Sequence, residues 1–200
     1  METQPTLICI PDISGFTRFM SDADIEMSAS VVPALLNRII YSNKIGLKVS
    51  EIEGDAVLFY KTGPLPSFQT LIEQCRLFYV EFYNQLHALK EEYKGKRLAS
   101  VIPDILGLKI IVHYGKEIGA IPIGQSIKLM GEDVIIAHRL LKNEIPGSEY
   151  LLISSGVLDE YDQNDIQHSF EWGTLLKGDE KYKHLGDISY SYIHLEPLVP

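Results

Sequence analysis

Apolar positions fall in short runs whose spacing switches between strand and helix periods. The segment TLICIP (6–11) predicts a short buried strand. MSASVVPALLNRIIYSN (27–43) places Val32, Leu35, Leu36 and Ile39 at helical spacing, and Pro33 points to a helix that begins near it. LKVSEIEGDAVLFYK (47–61) carries two strand-like runs that meet at Gly54-Asp55, a hairpin signal. The longest predicted helix is capped by Ser67 and ended by Gly95; its stripe is Phe68, Leu71, Ile72, Cys75, Phe78, Phe82, Leu86 and Leu89. Such a stripe reads as core rather than as a cofactor box. A mixed connector, 95–107, leads to LKIIVHYGKEIGAIPIG (108–124), which predicts a second strand pair turning around Tyr114-Gly115-Lys116. GEDVIIAHRLLKN (131–143) predicts a helix that stops before Pro146-Gly147, and EYLLIS (149–154) a further strand. The tail, 169–195, alternates like β-structure.

The order β-α-α-β-β-α-β-β-α-β, with no internal repeat or composition break, predicts one α+β domain over residues 1–200. Its mainly antiparallel sheet would be covered by helices in a ferredoxin-like manner. With 46% hydrophobic and 22% charged residues, the chain has the make-up of a globular protein with a sizeable core. A net charge of −9 argues against nucleic acid as a partner. Cys9 and Cys75 read as reduced thiols rather than a disulfide framework. The N-terminus lacks the basic head and apolar run of a signal peptide, and no apolar segment reaches spanning length. A cytoplasmic protein with no membrane partner is expected.

The chemistry begins at Asp12, a carboxylate at the tip of a buried strand, which costs stability unless a positive group faces it. Asp55, at the turn of the first hairpin, would emerge at the same sheet edge if that hairpin lies beside the first strand. Two adjacent carboxylates repel, and a divalent cation resolves the conflict; hard oxygen ligands favour Mg²⁺ or Mn²⁺. ISGFT (13–17) can open a helix whose N–H groups face phosphate. The plainer reading is a helix cap at Asp12 and an ordinary turn residue at Asp55.

Four pieces in order resemble the class III nucleotidyl cyclase family, the adenylate and guanylate cyclase catalytic domain. DISGFT (12–17) resembles its first metal motif, and EIEGDAV (51–57) its Gly-Asp hairpin. LKIIVHYG (108–115) is similar to a later strand, with Lys109 at an Arg position four residues before His113. GEDVIIAHRLL (131–141) resembles its Gly-x-x-Val-Asn-x-Ala-x-Arg-Leu helix, and LLNRII (35–40) its early helix. The resemblance is strongest over residues 6–155.

It implies a phosphorus–oxygen lyase that converts a nucleoside triphosphate to a cyclic nucleotide and pyrophosphate at a homodimer interface. Asp12 and Asp55 would hold two Mg²⁺ or Mn²⁺ ions, with the Ile13 carbonyl facing one of them. Lys109 would contact the triphosphate, and Arg139 would stabilise the transition state across the dimer. Lys183 is the candidate for a phosphate-binding lysine in the tail; a solvated surface lysine fits it equally. Glu51 matches the residue that guanylate cyclases aim at guanine, or is a solvated strand residue.

The departures are as informative. Ile135 stands at the transition-state Asn position and cannot donate a hydrogen bond. Lys128 replaces the Asp or Cys expected beside the base; it suits neither familiar purine pattern and would instead contact a carbonyl of guanine or of a pyrimidine, and Ile111 replaces a Gly. Two other readings therefore stand beside the enzyme: a degenerate domain that binds nucleotide or metal without turnover, and a dimeric regulatory scaffold. The histidines show no zinc-ligand spacing, and no Walker loop, Rossmann fingerprint or G-x-S-x-G occurs.

Overall fold

A computed structural model describes residues 3–95 and 102–199. Strand β1 (Thr3–Ser14) alternates cleanly: Leu7, Cys9 and Ile13 pack into one core layer, while Ile8 and Ile10 pack into another on the opposite face. After Gly15 comes the short helix α1 (Phe16–Asp22), then α2 (Ile25–Tyr41). Helix α2 starts before Pro33, because Asp24 accepts a hydrogen bond from the Met27 N–H (2.8 Å) and caps it. Pro33 lies inside the helix, so the start expected near it is corrected. Strands β2 (Lys48–Glu53) and β3 (Ala56–Thr62) form the expected hairpin.

Helix α3 (Phe68–Glu92) follows, with Ser67 accepting from the Thr70 N–H (3.2 Å). Every member of its predicted stripe is buried, from Phe68 to Leu89. Phe78 stacks on Phe59 of β3 at 5.3 Å, and burial of one such ring contributes about 1.5–3 kcal/mol. Cys9 and Cys75 meet in this layer as free thiols; their hydrogen bond, then burial, pushes the Cys9 thiol up. The predicted connector over 95–107 lies partly outside the described residues, and its end forms α4 (Ile102–Ile105).

Strand β4 (Gly107–Ile123) runs unbroken through Tyr114-Gly115-Lys116, where a turn was expected. Gly115 is there for space: a β-carbon on it would lie 2.3 Å from the Asp133 side chain. The turn comes instead at Gly124 (φ 63°), which leads into β5 (Ser126–Met130). Helix α5 (Glu132–Leu140) lays Val134, Ile136, Ala137 and Leu140 on the Ile8/Ile10 face. Leu141, just past the helix end, is half-buried against the same layer.

The chain closes with β6 (Tyr150–Ser154), α6 (Ser155–Leu158), α7 (Gln163–His168), β7 (Leu176–Tyr182), β8 (Gly186–His194) and a short 3₁₀ turn (Glu196–Leu198). Strand order is β2-β3-β1-β4-β6-β8-β7, with β5 paired to the far part of β4. Among the described residues only β4 and β6 run parallel. The molecule is thus the mixed α+β domain expected, with a mostly antiparallel sheet between helices. One local irregularity bears on the site. The β1–β3 register passes from Cys9↔Phe59 to Asp12↔Ala56 without pairing Ile10 or Pro11. Proline has no N–H to donate.

Candidate functional site

Alternation along β1 aims Asp12 at the α5 face, in phase with Ile8 and Ile10. The β4 register places Lys109 directly opposite. The Lys109 ammonium lies 3.1 Å from Asp12 Oδ2 and donates to the Leu141 carbonyl at the end of α5 (3.2 Å). Asp55 arrives from the β2–β3 turn, where its carbonyl accepts from the Ile13 N–H at 3.0 Å. Asp12, Ile13, Asp55 and Lys109 therefore line one cavity of about 520 Å³, together with Gly15, Arg18, Asn143 and Tyr150.

The electrostatics of this cavity are unbalanced. Burial pushes the Asp12 carboxyl up; Lys109 pulls it partly back, and the Asp55 charge pushes it up further. Asp55 is also raised, by burial, against its own backbone N–H and Lys109. Two carboxylates, each raised by burial and facing one ammonium, fit a divalent cation: the donors are hard oxygens and the site is short of positive charge.

A second cleft of about 610 Å³ shares Asp12, Lys109 and Leu141 with the first. Glu53, Val134, Ile135, His138, Arg139 and Lys142 complete it. Arg139 is exposed, and so is Ile135, at 52%. Arg139 and Asp55 thus line neighbouring cavities that meet at the Lys109–Leu141 bond. Glu51 forms an ion pair with Lys128, so the two base-reading candidates hold each other. Lys183 sits exposed in the β7–β8 turn, away from both cavities. Ile111 is buried in the layer under α5.

Several polar contacts at the site had escaped the sequence reading. His113 bonds Ser154 Oγ (2.8 Å) through Nδ1 and Asp133 (3.1 Å) through Nε2, bracing α5 against β4 and β6. The phase of His113 with Lys109 on β4 was the available signal. Asn143 donates to the Leu140 carbonyl (2.7 Å) and to the Tyr150 hydroxyl (2.9 Å), closing the cavity below α5. Glu53 lies 3.7 Å from His138. Nothing local in the sequence marks these last pairs.

The arrangement of sheet and helices is that of the class III nucleotidyl cyclase catalytic domain. The fold is similar to a bacterial light-regulated adenylyl cyclase, with TM-score 0.66 and 17% identity over 98% of this chain and 52% of that one. It is also similar to the guanylyl cyclase Cya2 (TM-score 0.63, 16% identity, 96% and 91% of the two chains). A third likeness is to the adenylyl cyclase CyaB from P. aeruginosa (0.60, 16%, 96% and 95%). The chain itself belongs to the family described as "Protein of unknown function (DUF2652)", which it matches over residues 32–150. It is also 29% identical over 143 residues to the uncharacterized protein Rv2561/Rv2562 of Mycobacterium tuberculosis (strain ATCC 25618 / H37Rv), a match spanning 68% of this chain and 66% of that one. The chain thus spans about half of the light-regulated cyclase and 66% of the mycobacterial relative. No helix among the described residues is long and apolar enough to cross a membrane.

Proposed function

We propose that this protein is a nucleotidyl cyclase-like domain whose Asp12–Asp55 cavity takes a divalent metal and the phosphates of a nucleoside triphosphate. The observation that carries this reading is the convergence of Asp12, Asp55 and Lys109 on one cavity of about 520 Å³. Asp12 and Asp55 would hold Mg²⁺ or Mn²⁺, with the Ile13 backbone beside them. Bound there, a divalent ion lowers the pKa of a hydroxyl nucleophile and neutralises phosphate charge. Lys109, cationic and only 21% exposed, offers charge-assisted hydrogen bonds to phosphate oxygens. Lys183, on its exposed hairpin turn outside both cavities, would meet a triphosphate only where a second copy of the chain brought one to it. Glu51 and Lys128, one acceptor and one donor side by side, can read a purine edge only by parting from each other.

Arg139 projects into solvent from α5, so in this reading it serves a site completed by a second copy of the chain in an isologous dimer. Turnover then yields a cyclic nucleotide and pyrophosphate, with catalysis by positioning and charge stabilisation. One observation favours the second reading, a degenerate nucleotide-binding domain or dimeric regulatory scaffold. Ile135, one turn before Arg139, presents an exposed apolar group where a donor would be useful; loss of such a donor costs about 10²–10³ in rate. Incubation of the pure protein with each of the four nucleoside triphosphates and Mn²⁺, followed by mass spectrometry, separates the two. A cyclic product that disappears in Arg139→Ala is expected from the enzyme. Unchanged triphosphate in every reaction leaves the degenerate reading.

A further inference from the structure

The Asp12 carboxylate already has a cation. Lys109 is its cross-strand partner, and the ammonium sits between Asp12 Oδ2 (3.1 Å) and the Leu141 carbonyl (3.2 Å). A carboxylate and a main-chain carbonyl are the hard oxygen ligands a divalent ion would use. The pair is also well shielded, with side-chain exposures of 21% for Lys109 and 13% for Asp12, so water screens it little. The β1–β4 register is continuous from Thr6 to Ser14, which fixes the two residues opposite each other.

Charge decides how much room is left. Asp12 and Asp55 bring two negative charges and Lys109 one positive. Arg18, at the rim, is 72% exposed and lies 3.8 Å from Asp22 on its own helix. One net negative charge remains, enough to attract one divalent ion on the Asp55 side. A second ion at Asp12 would face the ammonium across the same carboxylate, and like charges at contact distance repel strongly in a shielded cavity.

We propose that Lys109 stands in for one metal ion at Asp12, so that the cavity takes a single divalent ion rather than two. This rests on the reading of the cavity as a metal and triphosphate site, and sharpens it by fixing the stoichiometry. Removing the ammonium should open the second position.

Titration calorimetry with Mn²⁺ alone, checked by counting bound Mn²⁺ by electron paramagnetic resonance, tests the count. Wild type is expected to bind one ion per chain, Lys109→Arg one, and Lys109→Met, which keeps the buried stem without the charge, two. Two ions on wild type overturn the inference and leave the metal site standing. One ion on a Lys109→Met protein whose circular dichroism matches wild type also overturns it. If Lys109→Met does not fold, Lys109→Gln replaces it under the same criterion, and the wild-type count applies as before. Asp55→Asn that binds Mn²⁺ as well as wild type does, or a wild type that binds none, overturns both the inference and the reading beneath it.

Discussion

At Gly15 the backbone turns from β1 into α1 with φ 78°, and a β-carbon built there would fall 1.8 Å from the Ile105 carbonyl oxygen. Two requirements coincide: a left-handed conformation that L side chains rarely adopt, and space that any side chain would fill with backbone. Gly15→Ala should therefore destabilise the fold by about 2–4 kcal/mol, from strain plus overpacking. Urea unfolding of the two proteins measures it, and a difference under about 0.5 kcal/mol, the size of an ordinary surface substitution, would contradict the packing seen here. That Gly15 marks a turn is plain in the sequence; its close approach to Ile105 is not, because that partner arrives from a distant segment. Gly115 shows the same limit in reverse. Between Tyr114 and Lys116 it reads as a turn, yet it is a cut-out for Asp133, which bonds His113.

Elements are tied together around the site by Glu149, which lies just ahead of β6. Its carboxylate accepts from the Tyr83 hydroxyl of α3 and from the Leu108 N–H of β4, with Tyr79 and Glu196 also nearby. Burial, and secondarily the charge of Glu196, hold this carboxyl above the ordinary Glu value, against the Tyr83 and Leu108 hydrogen bonds. The folded state therefore keeps the proton to higher pH than the unfolded chain does. Stability from this group is full below the unfolded value near 4.5 and is lost as pH rises through the higher folded one. Glu149→Gln, which keeps an acceptor for Tyr83, should flatten that decline. Urea midpoints of both proteins between about pH 4 and 8 check it; parallel curves would remove Glu149 as the cause. Most elements themselves were legible: the α3 stripe, the Gly54-Asp55 hairpin and α5 all follow from local period and capping. The start of α2 was not, since Asp24 outweighs the signal of Pro33, and β5 was hidden because β4 runs through an apparent turn.

For the whole molecule, the assembly is the property that the exposed face of α5 bears on. Ile135 and Arg139 share that face, one exposed at 52%. If α5 meets a second copy at a reacting triphosphate, Ile135→Asn should raise turnover with little change in nucleotide affinity, since the new contact forms mainly in the transition state. If Ile135 instead packs in a dimer interface, the same variant should loosen the dimer with no gain. Light scattering after size exclusion and product assays on one preparation distinguish the two. A wild type that stays monomeric at high concentration with nucleotide would count against any shared site. What the sequence conveyed at this scale was the convergence of Asp12 and Asp55, which needs only neighbouring strands. It did not convey that Lys109 would turn to Asp12 or Glu51 to Lys128, because cross-strand partners depend on register. Pro11 adds a mechanical consequence. From Thr6 to Ser14 β1 is laddered on its β4 side without a break, while on its β3 side the rungs lapse at Ile10 and Pro11 and resume in the same register at Asp12. Asp12 and Lys109 therefore ride on one continuous ladder, whereas Asp55 is fastened to β1 beyond the lapse at Pro11, by the Asp12↔Ala56 rung beside it and the Ile13 N–H bond to its own carbonyl (3.0 Å).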